Sequence, residues 1–191
     1  MASVLVLYGT SEGQTAKIAS RVADVLTERG HAVTTVDLAE SAPGAALTDF
    51  DAVVVGSSIH LGDHQPAVTS FVADHRDALA SLPTAFFQVS LSSAADDPYS
   101  RTEAGGYVED FVAETGWNPA RIGEFGGAIR YSEYGFLKKL LMKRIARDVT
   151  GDVDTSRDYE YTDWEDVTDF AEEFAALVET RRGATQSDTA E

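Results

Sequence analysis

Val4-Leu5-Val6-Leu7-Tyr8-Gly9-Thr10-Ser11-Glu12-Gly13-Gln14-Thr15 stands at the start of the chain, and its two halves obey different rules. Val4 to Tyr8 is a continuous apolar run, the pattern of a central parallel strand covered on both faces. The polar half carries hydroxyls at Thr10, Ser11 and Thr15, a turn glycine at Gly13, and no lysine. From Gln14 to Arg29 the apolar residues Ile18, Val22, Val25 and Leu26 recur at helical spacing, and Gly30 follows as a stop. A turn of this kind at a helix N-terminus offers N–H groups and hydroxyls to a phosphate without a counter-cation. The same residues also suit a plain strand-to-helix turn capped by serine or threonine. Neither Gly-x-x-x-x-Gly-Lys nor Gly-x-Gly-x-x-Gly is present, which excludes the nucleotide loops that those patterns build.

The alternation continues outward. His31 to Leu38 reads as a strand near a sheet edge, Ala52 to Val55 as a buried strand ending in Gly56-Ser57-Ser58, and Pro66 to Leu82 as a helix with proline in its first turn. Thr84 to Val89 is a fourth strand, followed by a polar loop through Pro98. Gly106 to Thr115 is a helix and Ile122 to Ile129 a fifth strand. Thr162-Asp163-Trp164-Glu165 matches a capping box, and Val167, Phe170, Ala171, Phe174 and Leu177 share one face of the helix behind it. Five strands alternating with helices imply an α/β doubly wound parallel sheet, whose ligand sits at the carboxyl ends of the strands. The loops after strands one, three and four are therefore the expected site.

With 191 residues, the chain is expected to form a single domain over 1–180, with a polar tail at 181–191 that frays. No run of about 18 apolar residues suggests a membrane span. Met1-Ala2-Ser3 leads into the first strand without a basic region or cleavage site, which argues for the cytoplasm. Cysteine is absent, so disulfides, thiol catalysis and thiolate metal sites are excluded. His60 and His64 are four apart, but Gly62 between them argues for a loop rather than a metal-binding helix face. The 32 acidic residues exceed the 15 basic ones to give a net charge of −17, which argues against nucleic-acid partners. So much acid, with only four lysines, fits a halophilic protein in a salt-rich cytosol, where screening removes the self-repulsion. Nothing here chooses between a monomer and a homo-oligomer.

Thr10-x-x-Gly13-x-Thr15 directly after the first strand resembles the FMN phosphate loop of the flavodoxin family. The resemblance implies the three-layer sheet with strand order 2-1-3-4-5. It also implies that Thr10, Glu12, Gln14 and Thr15 line the phosphate, while Ser11 and Gly13 contribute backbone. A carboxylate facing a phosphate is repelled, so the Glu12 side chain is expected to turn outward. Ser57, Ser58, Ile59, His60 and Gly62 match the flavodoxin loop beside the isoalloxazine ring, with Ile59 and His60 as its covering residues. For His60 an exposed loop histidine is the competing reading. Ser90, Leu91 and Ser92 are expected at the other edge of the flavin, though a polar loop without a ligand would look the same.

A segment from about Tyr131 to Asp158 exceeds what a minimal sheet of this kind needs. Arg130, Lys138, Lys139, Lys143, Arg144 and Arg147 face a single acid, Glu133, so 130–147 carries +5 within an acidic chain. Tyr134 to Arg147 reads as an amphipathic helix, with Lys139, Lys143 and Arg147 on one ridge and Leu137, Leu141 and Ile145 opposite. Such a helix can lie on an anionic membrane or receive an acidic, apolar ligand; it can equally pack on its own sheet with its cations paired to surface acids.

Gly127-Ala128-Ile129-Arg130-Tyr131, Gly151-Asp152-x-Asp154-Thr155-x-Arg157 and Tyr161-Thr162-Asp163-Trp164-Glu165 together resemble the flavodoxin-like protoporphyrinogen IX dehydrogenases of bacterial haem synthesis. Gly13-Gln14-Thr15, Gly56-x-Ser58-Ile59, Phe87-x-Val89-x-Leu91 and Trp117-x-Pro119 extend that similarity along most of the chain. It implies FMN-dependent oxidation of protoporphyrinogen IX with electrons passed to menaquinone, and peripheral membrane association through the basic insertion. Arg130, Lys138, Lys139 and Lys143 are then the candidates for anionic groups of substrate or membrane. No catalytic acid or base stands out. The rival readings are a flavodoxin-type electron carrier, another quinone-linked FMN oxidoreductase, and a flavin-free interaction module.

Overall fold

The computed structural model describes residues 1–44, 46–95, 97–133, 142–143 and 154–188. Its strands are β1 (Ser3–Gly9), β2 (Ala32–Asp37), β3 (Ala52–His60), β4 (Asp63–His64), β5 (Thr84–Ser90), β6 (Arg121–Gly126), β7 (Ala128–Ile129) and β8 (Tyr159–Glu160). Its α-helices are α1 (Gln14–Glu28), α2 (Pro66–Asp74), α3 (Arg76–Ala80), α4 (Pro98–Thr115) and α5 (Trp164–Asp188). The main sheet runs β2-β1-β3-β5-β6, all parallel, with β4 folded back antiparallel on the end of β3. Counting the five parallel strands along the chain, the order is 2-1-3-4-5, as expected.

The unbroken apolar run of β1 is explained by helices on both faces. Val4 and Val6 join Val54, Phe87, Ile18 and Phe174 on the side of α1 and α5. Leu5 and Leu7 join Val53, Val55, Phe86, Phe111 and Trp117 on the side of α2 and α4. Successive residues of a strand point to opposite faces, so one pentapeptide feeds both cores.

Four local expectations change. α4 starts at Pro98, eight residues before Gly106, because the Asp97 carboxylate accepts hydrogen bonds from the N–H groups of Tyr99 and Ser100 and Pro98 suits the first turn. The helix after Pro66 is two pieces separated at His75. The fifth strand ends at Gly126, and Ala128–Ile129 pairs instead with Tyr159–Glu160 in a separate two-stranded ladder. α5 continues past Arg181 to Asp188, and Arg182 reaches the Asp51 carboxylate at 2.6 Å, where the sequence predicts fraying.

The ladder of β7 and β8 closes the base of the insertion. Ser132 donates from its N–H and hydroxyl to the Asp158 carboxylate at 2.8 and 2.6 Å, so the two ends of the segment meet. Tyr159 stacks on Tyr161, and the Arg157 guanidinium lies over the Tyr159 ring, 4.8 Å from its centre. The expected helix at Tyr134 to Arg147 lies outside the described residues except for Met142 and Lys143.

Candidate functional site

A cleft of about 370 Å³ opens at the carboxyl ends of β1, β3 and β5, where the parallel topology predicts a ligand. Thr10, Ser11, Glu12, Gln14 and Thr15 form one end of it. The Thr10 hydroxyl accepts the Gly13 N–H at 2.9 Å, and Gly13 enters α1 with φ +82°, a conformation that disfavours a side chain. Gly13 is thus the hinge of the loop and not part of its lining. Glu12 is half-buried on the wall. Gln65, which the sequence reading missed, ties this loop to the next: its amide nitrogen donates to Ser11 at 2.7 Å and to Ser58 at 3.0 Å.

Ser58, Ile59, His60, Leu61 and Gly62 form the second wall. Ser57 is fully buried behind it, accepting the Gln65 N–H at 3.0 Å, so it supports the wall without lining it. The β3–β4 turn places Leu61 at φ +55° and Gly62 at φ +95°, and Leu61 is 83% exposed. His60 is exposed on the cleft, whereas His64 sits in the core between Phe86 and Phe111 and bonds the Tyr107 carbonyl at 3.1 Å. Burial pushes the His64 imidazole down to about 4.

The third wall is Val89, Ser90, Leu91 and Ser92, extended by Glu103 and Tyr107 of α4. Ser92 donates to the Glu103 carboxylate at 2.5 Å. Burial, then the charge of Glu103, raises the Tyr107 hydroxyl above its ordinary range. Glu103 was hidden because the expected helix starts at Gly106, and Asp97-Pro98 was the available signal; Tyr107 lies inside the expected helix, but nothing local shows that it faces the cleft. Gly127, Ala128 and Met142 complete the rim. Arg130 is half-buried just past that rim and Lys143 is exposed; neither lines the cleft. Lys138 and Lys139 lie outside the described residues. Among the described residues no cluster of His, Asp and Glu could hold a metal ion, and no helix is long and apolar enough to cross a membrane.

Two polar atoms at the first end are buried without partners among the described residues: the Thr15 hydroxyl and the Gln14 side-chain carbonyl oxygen. Such orphans are costly unless a ligand completes them. One can donate and the other accepts. FMN offers both complements, phosphate oxygens that accept and ribityl hydroxyls that donate, so the residues present fit that group.

The flavodoxin domain family matches residues 5–156. Protoporphyrinogen IX dehydrogenase [quinone] of Escherichia coli (strain K12) is 35% identical over 176 residues, covering 92% of this chain and 96% of that protein. The protein of the same name from Leishmania major is 32% identical, covering 91% and 74%. Among solved structures, a flavodoxin from Pseudomonas aeruginosa aligns with a TM-score of 0.55 at 17% identity, covering 93% of this chain and 99% of that one, a likeness of fold.

Proposed function

The chain belongs to the flavodoxin-domain family, with FMN as its cofactor, and on that premise we propose that it oxidises protoporphyrinogen IX to protoporphyrin IX and passes the electrons to menaquinone in haem biosynthesis. The observation that carries this reading is the cleft with its orphaned hydroxyl and carbonyl groups, whose rim is followed along the chain by a sequence of charge +5 that opposes the rest of the protein. The segment begins at Arg130, two residues past the Ala128 rim.

FMN supplies the redox function that links an organic substrate to a quinone. The chain supplies grip, orientation and shape. Thr10 to Thr15 hold the phosphate with hydroxyls and backbone N–H groups, in the manner of other helix N-termini. Ile59, His60 and Gly62 on one side and Ser90, Leu91 and Ser92 on the other flank the ring. Leu61, Val89 and Met142 add apolar surface that keeps water from it. The described lining contains Glu12 and Glu103 and neither lysine nor arginine, so it repels carboxylates. A flat apolar macrocycle with carboxylate arms therefore turns those arms away from Glu12 and Glu103, and Arg130, Lys138, Lys139 and Lys143 are the cations of the chain that we assign to them. The same cations suit an anionic membrane face, which supports a cytoplasmic protein lying peripherally on that face, within reach of a lipid-soluble quinone.

The test is spectroscopic. Protein purified in high salt is examined for bound flavin, then mixed anaerobically with protoporphyrinogen IX, with and without a menaquinone analogue. Flavin bleaching by the porphyrinogen and its recovery with the quinone are expected. Flavin that binds but stays oxidised would reduce the assignment to an electron carrier. Deleting residues 134–147 is expected to leave flavin bound while abolishing turnover or sedimentation with anionic vesicles.

A further inference from the structure

The string Tyr161-Thr162-Asp163-Trp164-Glu165 reads in sequence as a capping box, yet the cap is Asp163. Its carboxylate accepts the N–H groups of Glu165 at 2.9 Å and Asp166 at 3.4 Å. Thr162 is thereby released for another task. Its hydroxyl donates to the Gly126 carbonyl at 2.6 Å and accepts the Gln14 side-chain N–H at 2.8 Å. Gln14 is the first residue of α1, is 4% exposed, and belongs to the cleft lining.

The neighbours of Thr162 reinforce the contact. Glu160 takes Lys17, in the same first turn of α1, at 2.7 Å and accepts the Trp164 indole N–H at 3.0 Å. The Lys17 hydrogen bond is the main reason the Glu160 carboxyl lies below its ordinary range. Gly126 permits the approach: a β-carbon there would strike the Tyr161 carbonyl. The chain returning from the insertion thus grips the first turn of α1 from outside the cleft.

The first N–H groups of a helix have no acceptor within it, and their aim depends on where the first turn is fixed. We propose that Thr162 is a positioning residue for the FMN phosphate, acting through Gln14 to hold the first turn of α1 in its anion-binding orientation. This rests on the reading of the cleft as the FMN site. It gives the post-insertion motif a role that capping does not, and it makes a residue 148 positions away from Gln14 a determinant of cofactor affinity.

Thr162→Val keeps the shape and removes both hydrogen bonds. Apoprotein is titrated with FMN and separately with riboflavin, which lacks the phosphate, while thermal unfolding of the apoprotein checks the fold. The expected result is about tenfold weaker FMN binding, riboflavin binding unchanged within about twofold, and restoration by Thr162→Ser. Equal weakening of both flavins, unchanged FMN affinity, or failure of serine to restore it overturns the proposal. If Thr162→Val shows no cooperative unfolding, Thr162→Ala removes the same hydroxyl with a smaller side chain, and the same phosphate-specific loss is required of it. Failure of the unaltered apoprotein to bind FMN would instead overturn the cofactor reading itself.

Discussion

Thr10 to Thr15 and Ile59 to His64 end adjacent strands and line one cleft, but they are held in different ways. The first loop is fixed by neutral hydrogen bonds, accepted by Thr10 and Thr162 and donated by Gln65, and its one left-handed position is a glycine. The second is a hairpin with a leucine in the left-handed region, anchored to α4 through a buried histidine. The phosphate end is therefore relaxed, with neutral ties in the loop itself and one exposed ion pair behind it, while the ring end carries backbone strain and an acid-sensitive tie in the core. A grip that must hold a dianion gains from fixed geometry; a wall beside a reacting ring can carry the strain that functional sites often store.

The largest effect expected from this contrast is acid lability centred on His64. Burial lowers its pKa in the folded protein to about 4 from 6.5, against smaller opposing contributions from the Tyr107 carbonyl and Asp63. The neutral ring is the one the fold accepts, so its contribution is fully present above pH 6.5 and is lost as pH falls toward 4. The loss amounts to about 3 kcal/mol. Denaturation of the protein and of His64→Phe across pH 7 to 4 should show the steeper fall only in the former. Equal slopes would remove histidine from the account of the ring end.

The next effect tests the other end. Thr15→Val replaces an unpartnered buried hydroxyl with a methyl, so the apoprotein should not lose stability. FMN loses a hydrogen bond to a charged group, worth about 1.5–3 kcal/mol, or about 10–150-fold in affinity by titration. An apoprotein that is destabilised while FMN affinity holds would show the hydroxyl to be structural.

How far this contrast was legible depends on the distance over which each signal acts. The phosphate loop is contiguous, so strand, glycine hinge and helix start can all be read from residues 4 to 15. The strand order followed because alternating βα units leave few topologies. Gln65, Glu103, Tyr107 and Thr162 escaped because long-range packing places them. Gln65 precedes a proline that marks its helix but gives no hint of Ser11, 54 positions away. Thr162 looked like a cap because the local pattern fits two adjacent caps equally well, and only the position of Gly126 decides between them. The positive φ at Leu61 had no local warning either, since Leu61-Gly62 lacks the asparagine or aspartate that usually marks such a turn.

Gly13→Ala comes third. The added methyl would meet nothing within 4 Å, so its effect is purely conformational, about 1 kcal/mol lost to the left-handed backbone. Chemical denaturation of the apoprotein should show a lowered midpoint at an unchanged slope. An unchanged midpoint would mean that the loop reshapes at no cost, and the contrast in rigidity would fail.

Leu61→Asn should give the smallest effect and the opposite sign. Leucine at φ +55° bears a left-handed cost that asparagine tolerates better, and at 83% exposure it buries little surface that the change could forfeit. The variant should gain up to about 1 kcal/mol, a rise of about 2–4 °C in Tm for a chain of this size. FMN affinity should hold, because the phosphate loop is untouched. If the reaction proposed above uses this apolar tip against the macrocycle, porphyrinogen turnover should fall while stability rises. A native leucine at that position is then maintained for contact at the expense of stability. A variant that is less stable than the parent would show instead that Leu61 packs where its exposure denies it, and the strain assigned to the ring end would have to be sought elsewhere.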